Sequence, residues 1–407
     1  MNVSFDPVID RKRTNSLKYD FAAEHGKPAD VLPFWVADMD FRTCPAVQKA
    51  LEKSVRHGIF GYSESKREYF DALYRWYSDS FGWKIQREWL VKTPGVVFAI
   101  CTAIRALTNE GDAVLIQRPV YYPFSESIRN NNRKLVNSPL IYRDGKYSID
   151  FQDFEEKIVR NHVKLFILCS PHNPVGRVWT KQELIRMGDL CVKHHVFVLS
   201  DEIHSDFVYG GYRHLVFASL KPEYLRQTVT CTSPSKTFNL AGLQVSNILI
   251  ADPAMRRRFQ SERKKTGYSQ LNTMGLAACQ AAYENGRLWL EELKKYLSGN
   301  LAFVRQFLKE NLPQVRLVEP QGTYLVWLDF RCLGLDGDRL EDLIVNRAKL
   351  WLDAGPLFGP EGEGFERINI ACPKSLLSEA LFQLKQSISQ YEAETNAAKT
   401  NLVRCFN

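Results

Sequence analysis

The chain has 407 residues, of which 45% are hydrophobic, 12% aromatic and 25% charged. That balance excludes disorder, collagen-like repeats and low-complexity scaffolds, and the length predicts roughly two to three domains. Lys and Arg outnumber Asp and Glu, 54 against 46, an excess compatible with an anionic ligand, nucleic acid, a membrane surface or plain solubility.

Residues 1–45 carry little periodicity, and their opening MNVSFDPVIDRKRTN lacks the apolar core of a signal peptide. From about 90 to 252, short apolar runs alternate with helix-like segments. AVLIQ (113–117), KLFILCS (164–170), VFVLSDE (196–202), TVTCTS (228–233) and SNILIAD (246–252) are apolar on both faces and predict buried strands. FQDFEEKIVRNH and TKQELIRMGDLCVKHH between them have helical period and cap-like starts. Strand–helix alternation predicts an α/β fold with a mostly parallel sheet, and a ligand at the carboxyl ends of its strands. Beyond the helical stretch 272–312, GTYLVWLDF (322–330) and ERINIAC (366–372) predict strands of a separate α+β unit. The expected division is a large domain over 46–288, a small domain from 1–45 and 289–395, and a frayed tail over 396–407.

The nine cysteines stand singly, without a Cys-x-x-Cys pair. Several sit in apolar runs, which argues against a disulfide framework or zinc site and for a reducing, cytoplasmic setting. No apolar stretch nears the ~18 residues of a membrane span.

Chemistry-bearing residues recur just after the predicted strands. Pro94 and Gly95 precede the apolar helix-like VVFAICTAIRAL, whose first N–H groups and positive dipole end suit a phosphate. Tyr121 follows the strand 113–117 and could stack on a flat ring. Asn173 follows the strand 164–170, Asp201 ends the next, and Lys236 follows another, beside Ser233 and Ser235. The topology brings these side chains to one sheet edge, where a desolvated lysine is a Schiff-base candidate. A phosphate cradle, a stacking ring, an amide, a carboxylate and a lysine together suit pyridoxal 5'-phosphate, whose pyridinium needs an acid and whose aldehyde needs an amine.

With FDPVIDRKRTNSLKYD, LPFWVADMDF, FGYS, PGVV, RPVYYPF, SPHNPVGRVW, SDEIHSD, SPSKTFNLAGLQ and FGPEGEGFERINIACP in that order, the chain resembles fold-type I pyridoxal-phosphate enzymes of the class I/II aminotransferase family. More narrowly it resembles the MalY/PatB-type C–S β-lyases (cystathionine β-lyases) of sulfur amino-acid metabolism. The resemblance implies a PLP-dependent transferase-like fold with a seven-stranded, mostly parallel sheet. It implies that Lys236 binds the cofactor aldehyde and moves the substrate α-proton, that Asp201 pairs with the ring nitrogen, that Asn173 donates to the phenolic oxygen, and that Tyr121 stacks on the ring. The Gly95–Val96 backbone, Ser233 and Ser235 would hold the phosphate, joined by Tyr62 from the neighbouring subunit of a homodimer. Arg367 would grip the substrate α-carboxylate, with Trp35, Asn173 and Tyr62 nearby.

Two departures separate the chain from general aminotransferases. His204 stands where they carry a tyrosine beside the phenolic oxygen, and Gln244 where they often carry a phosphate-binding arginine. Both match the β-lyase branch, so α,β-elimination is the expected reaction, transamination the alternative, and a cofactor-binding regulator acting through a partner the alternative from another class. His204 and Asp206 imitate the start of an iron site, but no histidine beyond His214 completes it. No G-x-G-x-x-G indicates a nicotinamide enzyme. The basic run MRRRFQSERKK (255–265) reads as a solvated helix face, so no metal, nucleic acid or membrane partner is expected.

Overall fold

The computed structural model describes the backbone of residues 4–405 and the side chains of residues 4–397. The chain divides into two compact units. One comprises Arg42–Lys294 with Glu319–Thr323; the other comprises Met1–Phe41, Lys295–Val318 and Tyr324–Asn407.

The first unit is built on seven strands: β1 (Leu90–Thr93), β2 (Ala113–Ile116), β3 (Lys134–Asn137), β4 (Leu165–Cys169), β5 (Phe197–Asp201), β6 (Thr228–Thr232) and β7 (Ser246–Leu249). Their order across the sheet is β1-β7-β6-β5-β4-β2-β3. All run in one direction except β7, which pairs antiparallel with both β1 and β6. The central strands are buried along almost their whole length, Phe197 alone among these being partly exposed, which is why their sequences are apolar runs rather than alternations.

Helices cover both faces. On one, Val96–Leu107, Pro123–Asn130 and Pro253–Lys265 pack Ile100, Ile104, Phe124, Ile128, Met255 and Phe259 against Leu165, Ile167, Leu199 and Val229. On the other, Phe154 of the helix Phe151–Asn161 meets Phe166 of β4 edge to face at 5.0 Å. Beside it runs the helix Lys181–Lys193, where a side chain at Gly188 would strike the ring of Tyr224 at 2.4 Å. Three of these helices begin on side-chain caps. Asp150 accepts from Gln152 and Asp153, Asp252 accepts from Met255, and Thr180 forms a full capping box with Glu183. Past the helix Lys181–Lys193, His194 caps the end and also lies 2.9 Å from Glu155.

The second unit contains a four-stranded antiparallel sheet of β8 (Arg316–Val318), β9 (Leu325–Asp329), β10 (Asp353–Ala354) and β11 (Phe365–Asn369), in the order β8-β9-β11-β10. Its last helix is Lys374–Cys405, so the stretch expected to be a frayed tail is helical as far as Cys405, and residues 406 and 407 lie outside the described residues. The polar composition of that stretch hid good helix formers, including Ala397, Ala398 and Lys399. Among the described residues, no helix is long and apolar enough to cross a membrane.

Candidate active site

Three loops at the carboxyl ends of β2, β4 and β6, with the end of β5, assemble one constellation in the first unit. Two ties join the β2 and β4 loops: the Tyr121 amide donates to the Asn173 carbonyl at 3.0 Å, and His172 Nε2 donates to the Pro119 carbonyl at 2.9 Å. Burial holds His172 down at about 4, so its ring stays neutral and keeps that donor role. Tyr121 is partly buried, with Phe124 edge-on at 5.9 Å. Asn173 is buried, and its amide meets Cys169 Sγ at 3.4 Å.

Asp201 is the last residue of β5, flanked in register by Cys169 of β4 and Cys231 of β6. It is 4% exposed. Among the described residues its carboxylate has one hydrogen bond, from the Ile203 amide at 3.2 Å. Burial pushes it up to about 7; the Ile203 bond opposes the rise, the neighbouring charge of Glu202 adds to it, and Lys236 opposes it. A buried carboxylate this poorly satisfied fits a cationic ring nitrogen, which would supply the missing donor and charge.

Lys236 is partly buried in the short helix Pro234–Thr237 that directly follows β6. Before it, Ser233 caps the helix through the Ser235 amide at 3.1 Å, touches the Ser235 hydroxyl and donates to the Val245 carbonyl at 2.7 Å. After it, Thr237 donates to Asp206 at 2.6 Å. The helix Val96–Leu107 starts at Gly95 without a side-chain cap, and the space where a Gly95 side chain would lie holds no atom within 4 Å. A helix start with no side-chain cap and with open space beside Gly95 fits a phosphate, and Ser233 and Ser235 belong to the same unit. His204 is buried, while Gln244 is exposed and holds a left-handed turn at φ 48°. Tyr62 is 99% exposed.

Arg367 and Trp35 belong to the second unit. Arg367, on β11, is 3% exposed and lies opposite Asp353 of β10. Its Nη2 contacts the Asp353 carboxylate and donates to the Trp35 carbonyl at 2.9 Å, and its guanidinium lies over Phe358. The β10–β11 register sets this pairing. The Trp35 ring stacks on Trp351 at 4.2 Å.

The stretch from Phe34 to Asp40 is held mainly through its backbone. Asn369 takes the carbonyls of residues 34, 36 and 38, Arg367 takes that of residue 35, Tyr324 takes that of residue 37 and Arg11 takes that of residue 39. Arg11 also pairs with Asp38 at 2.6 Å and Asp40 at 2.7 Å, and the fully buried Lys18 pairs with Asp40 at 2.8 Å.

Sequence reasoning passed over His172, Asp353 and the pair Glu202–His214, whose nitrogen and oxygen lie 2.8 Å apart, and weighed Asp206 only as an iron ligand. Position beside a site residue was the available signal for His172 and Glu202. Asp353 had none, because a cross-strand pairing brings it to Arg367.

Helices on both faces of a sheet with one reversed strand, and a lysine and a carboxylate at its carboxyl edge, define a known architecture. Residues 29–384 match the family model for aminotransferase class I and II, and the chain belongs to that family. It is 42% identical over 387 residues to the cystathionine beta-lyase PatB of Bacillus subtilis, covering 95% of this chain and 100% of the relative. It is 34% identical to the protein MalY of Escherichia coli, covering 94% and 98%. Among solved structures it is similar to cystalysin from Treponema denticola, which contains pyridoxal 5'-phosphate, with a TM-score of 0.93, 39% identity and coverage of 96% and 100%. The fold is therefore the fold-type I architecture of pyridoxal-phosphate enzymes.

Proposed function

We propose that the chain is a pyridoxal-phosphate-dependent carbon–sulfur β-lyase that splits sulfur amino acids such as cystathionine into pyruvate, ammonia and a thiol. The observation that carries this reading is the underserved Asp201 carboxylate at the same sheet edge as Lys236, in a chain similar along its length to a cystathionine β-lyase.

When bound, the cofactor supplies an electron sink for the charge left as the substrate α-proton departs. The chain's own residues do the rest. Asp201 would hold a proton on the ring nitrogen, Asn173 would donate to the phenolic oxygen, and Tyr121 would stack on the ring, with His204 in place of the tyrosine of aminotransferases. The amides at Gly95 and Val96, with the hydroxyls of Ser233 and Ser235, bind the phosphate. Lys236 would anchor the cofactor and hold the substrate α-proton on Nζ, the proton whose loss precedes departure of the β-thiolate. Arg367, oriented by Asp353 and the Trp35 carbonyl, binds the substrate α-carboxylate.

The assembly is a homodimer to which Tyr62 contributes across the interface. Supporting this, Val55, Ile59, Phe60 and Tyr62 expose 58–99% of their surface within eight residues, an apolar patch suited to burial against a second copy. The setting is cytoplasmic, in keeping with buried thiols at Cys44, Cys169, Cys191, Cys231, Cys279 and Cys372.

The test is pyruvate release from cystathionine with no keto acid present. Steady release, abolished in K236A, is expected. Amino transfer to 2-oxoglutarate with no pyruvate released would overturn the lyase reading, and an unchanged biological effect in K236A would instead favour a regulator.

A further inference from the structure

Directly after Asp201, one residue past the end of β5, lies a second buried carboxylate in the opposite condition. Glu202 is 1% exposed and fully engaged. Its Oε1 accepts from the Ser200 hydroxyl at 2.8 Å and the Phe217 amide at 3.0 Å, while Oε2 accepts from His214 Nε2 at 2.8 Å. His214 is 2% exposed, and its Nδ1 has no hydrogen-bond partner among the described residues. The imidazole is thus committed to Glu202, with the edge of the Phe81 ring packed against it at 5.5 Å. Three convergent donors stabilise the ionised form of a carboxylate.

We propose that Glu202, fixed in place by Ser200, Phe217 and His214, is a positioning residue that acts through Asp201, strengthening the hydrogen bond by which Asp201 retains the proton on the cofactor's ring nitrogen. This rests on the reading of Asp201 as the partner of that nitrogen. The physical link is a fixed negative charge one residue away in a buried strand, where little water screens it. A like charge makes a carboxylate hold a proton more tightly, and a more basic partner strengthens the hydrogen bond to a protonated ring. The titratable groups facing Asp201 are Cys169 on β4, Cys231 on β6, Lys236 after β6 and Glu202 itself. Those facing Glu202 are His214, Cys231 and Tyr77, with Asp206 next to His214. Burial pushes both cysteine thiols and Tyr77 up, so they stay neutral through the range in question. The opposing charge of Lys236 is the same in every variant compared below.

The full-length chain, stripped of cofactor and refilled with pyridoxal 5'-phosphate, gives the readout: the cofactor dissociation constant against pH, followed by visible absorption. Affinity falls on the acid side as Asp201 takes up a proton and loses its charge pairing with the ring. E202Q removes the neighbouring charge and shifts this acid limb about one pH unit lower. E202D keeps the charge on a shorter arm, so it leaves the limb in place while lowering thermal stability. S200A, which removes one of the three donors, shifts the limb in the E202Q direction by a smaller amount.

A limb at the same pH in E202Q, E202D and the parent chain overturns the proposal, as does an E202D shift matching E202Q. If E202Q does not fold, E202D must still hold the limb and S200A must still move it, and failure of either counts against the proposal. D201N separates the two readings. If D201N binds the cofactor like the parent chain, the role of Asp201 itself is wrong. If D201N loses binding while the Glu202 variants leave the limb in place, only the role of Glu202 is wrong.

Discussion

Two kinds of helix start occur in the first unit, and they differ in what completes them. At Thr180 the chain closes its own orphan N–H groups with a capping box, and at Asp150 and Asp252 a carboxylate does the same. At Gly95 the chain supplies nothing, although that helix is among the most apolar and most buried of the unit. Asp201 and Glu202 repeat the contrast in carboxylates: three donors serve Glu202, while a single amide serves Asp201. A folded chain satisfies its buried polar groups almost everywhere. At Asp201 and at the Gly95 helix start, the missing partners are ones that a bound pyridoxal phosphate would supply.

The largest effect should come from completing the underserved carboxylate artificially. Asp201 has its folded-state value raised to about 7 from an ordinary 3.8, so in the cofactor-free chain it costs stability progressively as pH rises from about 4 to about 7. D201N removes that cost. The cofactor-free variant is expected to be more stable than the parent at pH 8, by at most on the order of 4 kcal/mol, and no different at pH 4. Denaturant melts at the two pH values check this, and an equal gain at both would break the contrast.

Next in size is G95D, which gives the bare helix the kind of cap found at Asp150. It should raise cofactor-free stability by about 1 kcal/mol. It should also weaken pyridoxal-phosphate binding by on the order of 100-fold, since a carboxylate takes the phosphate's donors and repels its charge. Chemical denaturation and a cofactor titration on the same protein read the two opposite signs; unchanged cofactor affinity would remove Gly95 from the phosphate site. The smallest effect is the control at the self-sufficient end. T180A should lose about 1 kcal/mol of stability and leave cofactor affinity unchanged.

The same contrast explains what could be read from the sequence. The five strands read as apolar runs are the five interior members of the sheet, where burial on both faces leaves an unmistakable pattern. The strands missed, β1 and β3, are its two edges; they are four residues long and partly exposed, LVKT and KLVN, too short and too polar to stand out. Lys236, Asp201, Asn173 and Tyr121 were legible because each follows a recognisable strand and each type suits one part of a known cofactor. Asp353 and His214 were not, because their partners come from pairing across strands and from a loop fold that local pattern does not encode. Glu202 stood next to Asp201 in plain view, but a sequence does not tell which of two adjacent acids the fold will saturate.

The stretch Phe34–Asp40 has a consequence for how such a protein could change. Its backbone is fastened largely through its own carbonyls, to Asn369, Arg367, Tyr324 and Arg11, while Asp38 and Asp40 add ion pairs and Trp35 adds its stack on Trp351. Any residue at positions 35 to 37 offers the same carbonyl. A library randomised at Trp35, Val36 and Ala37 would therefore vary chemistry beside Arg367 at little cost in folding yield, whereas one randomised at Asn369 would scatter the whole segment.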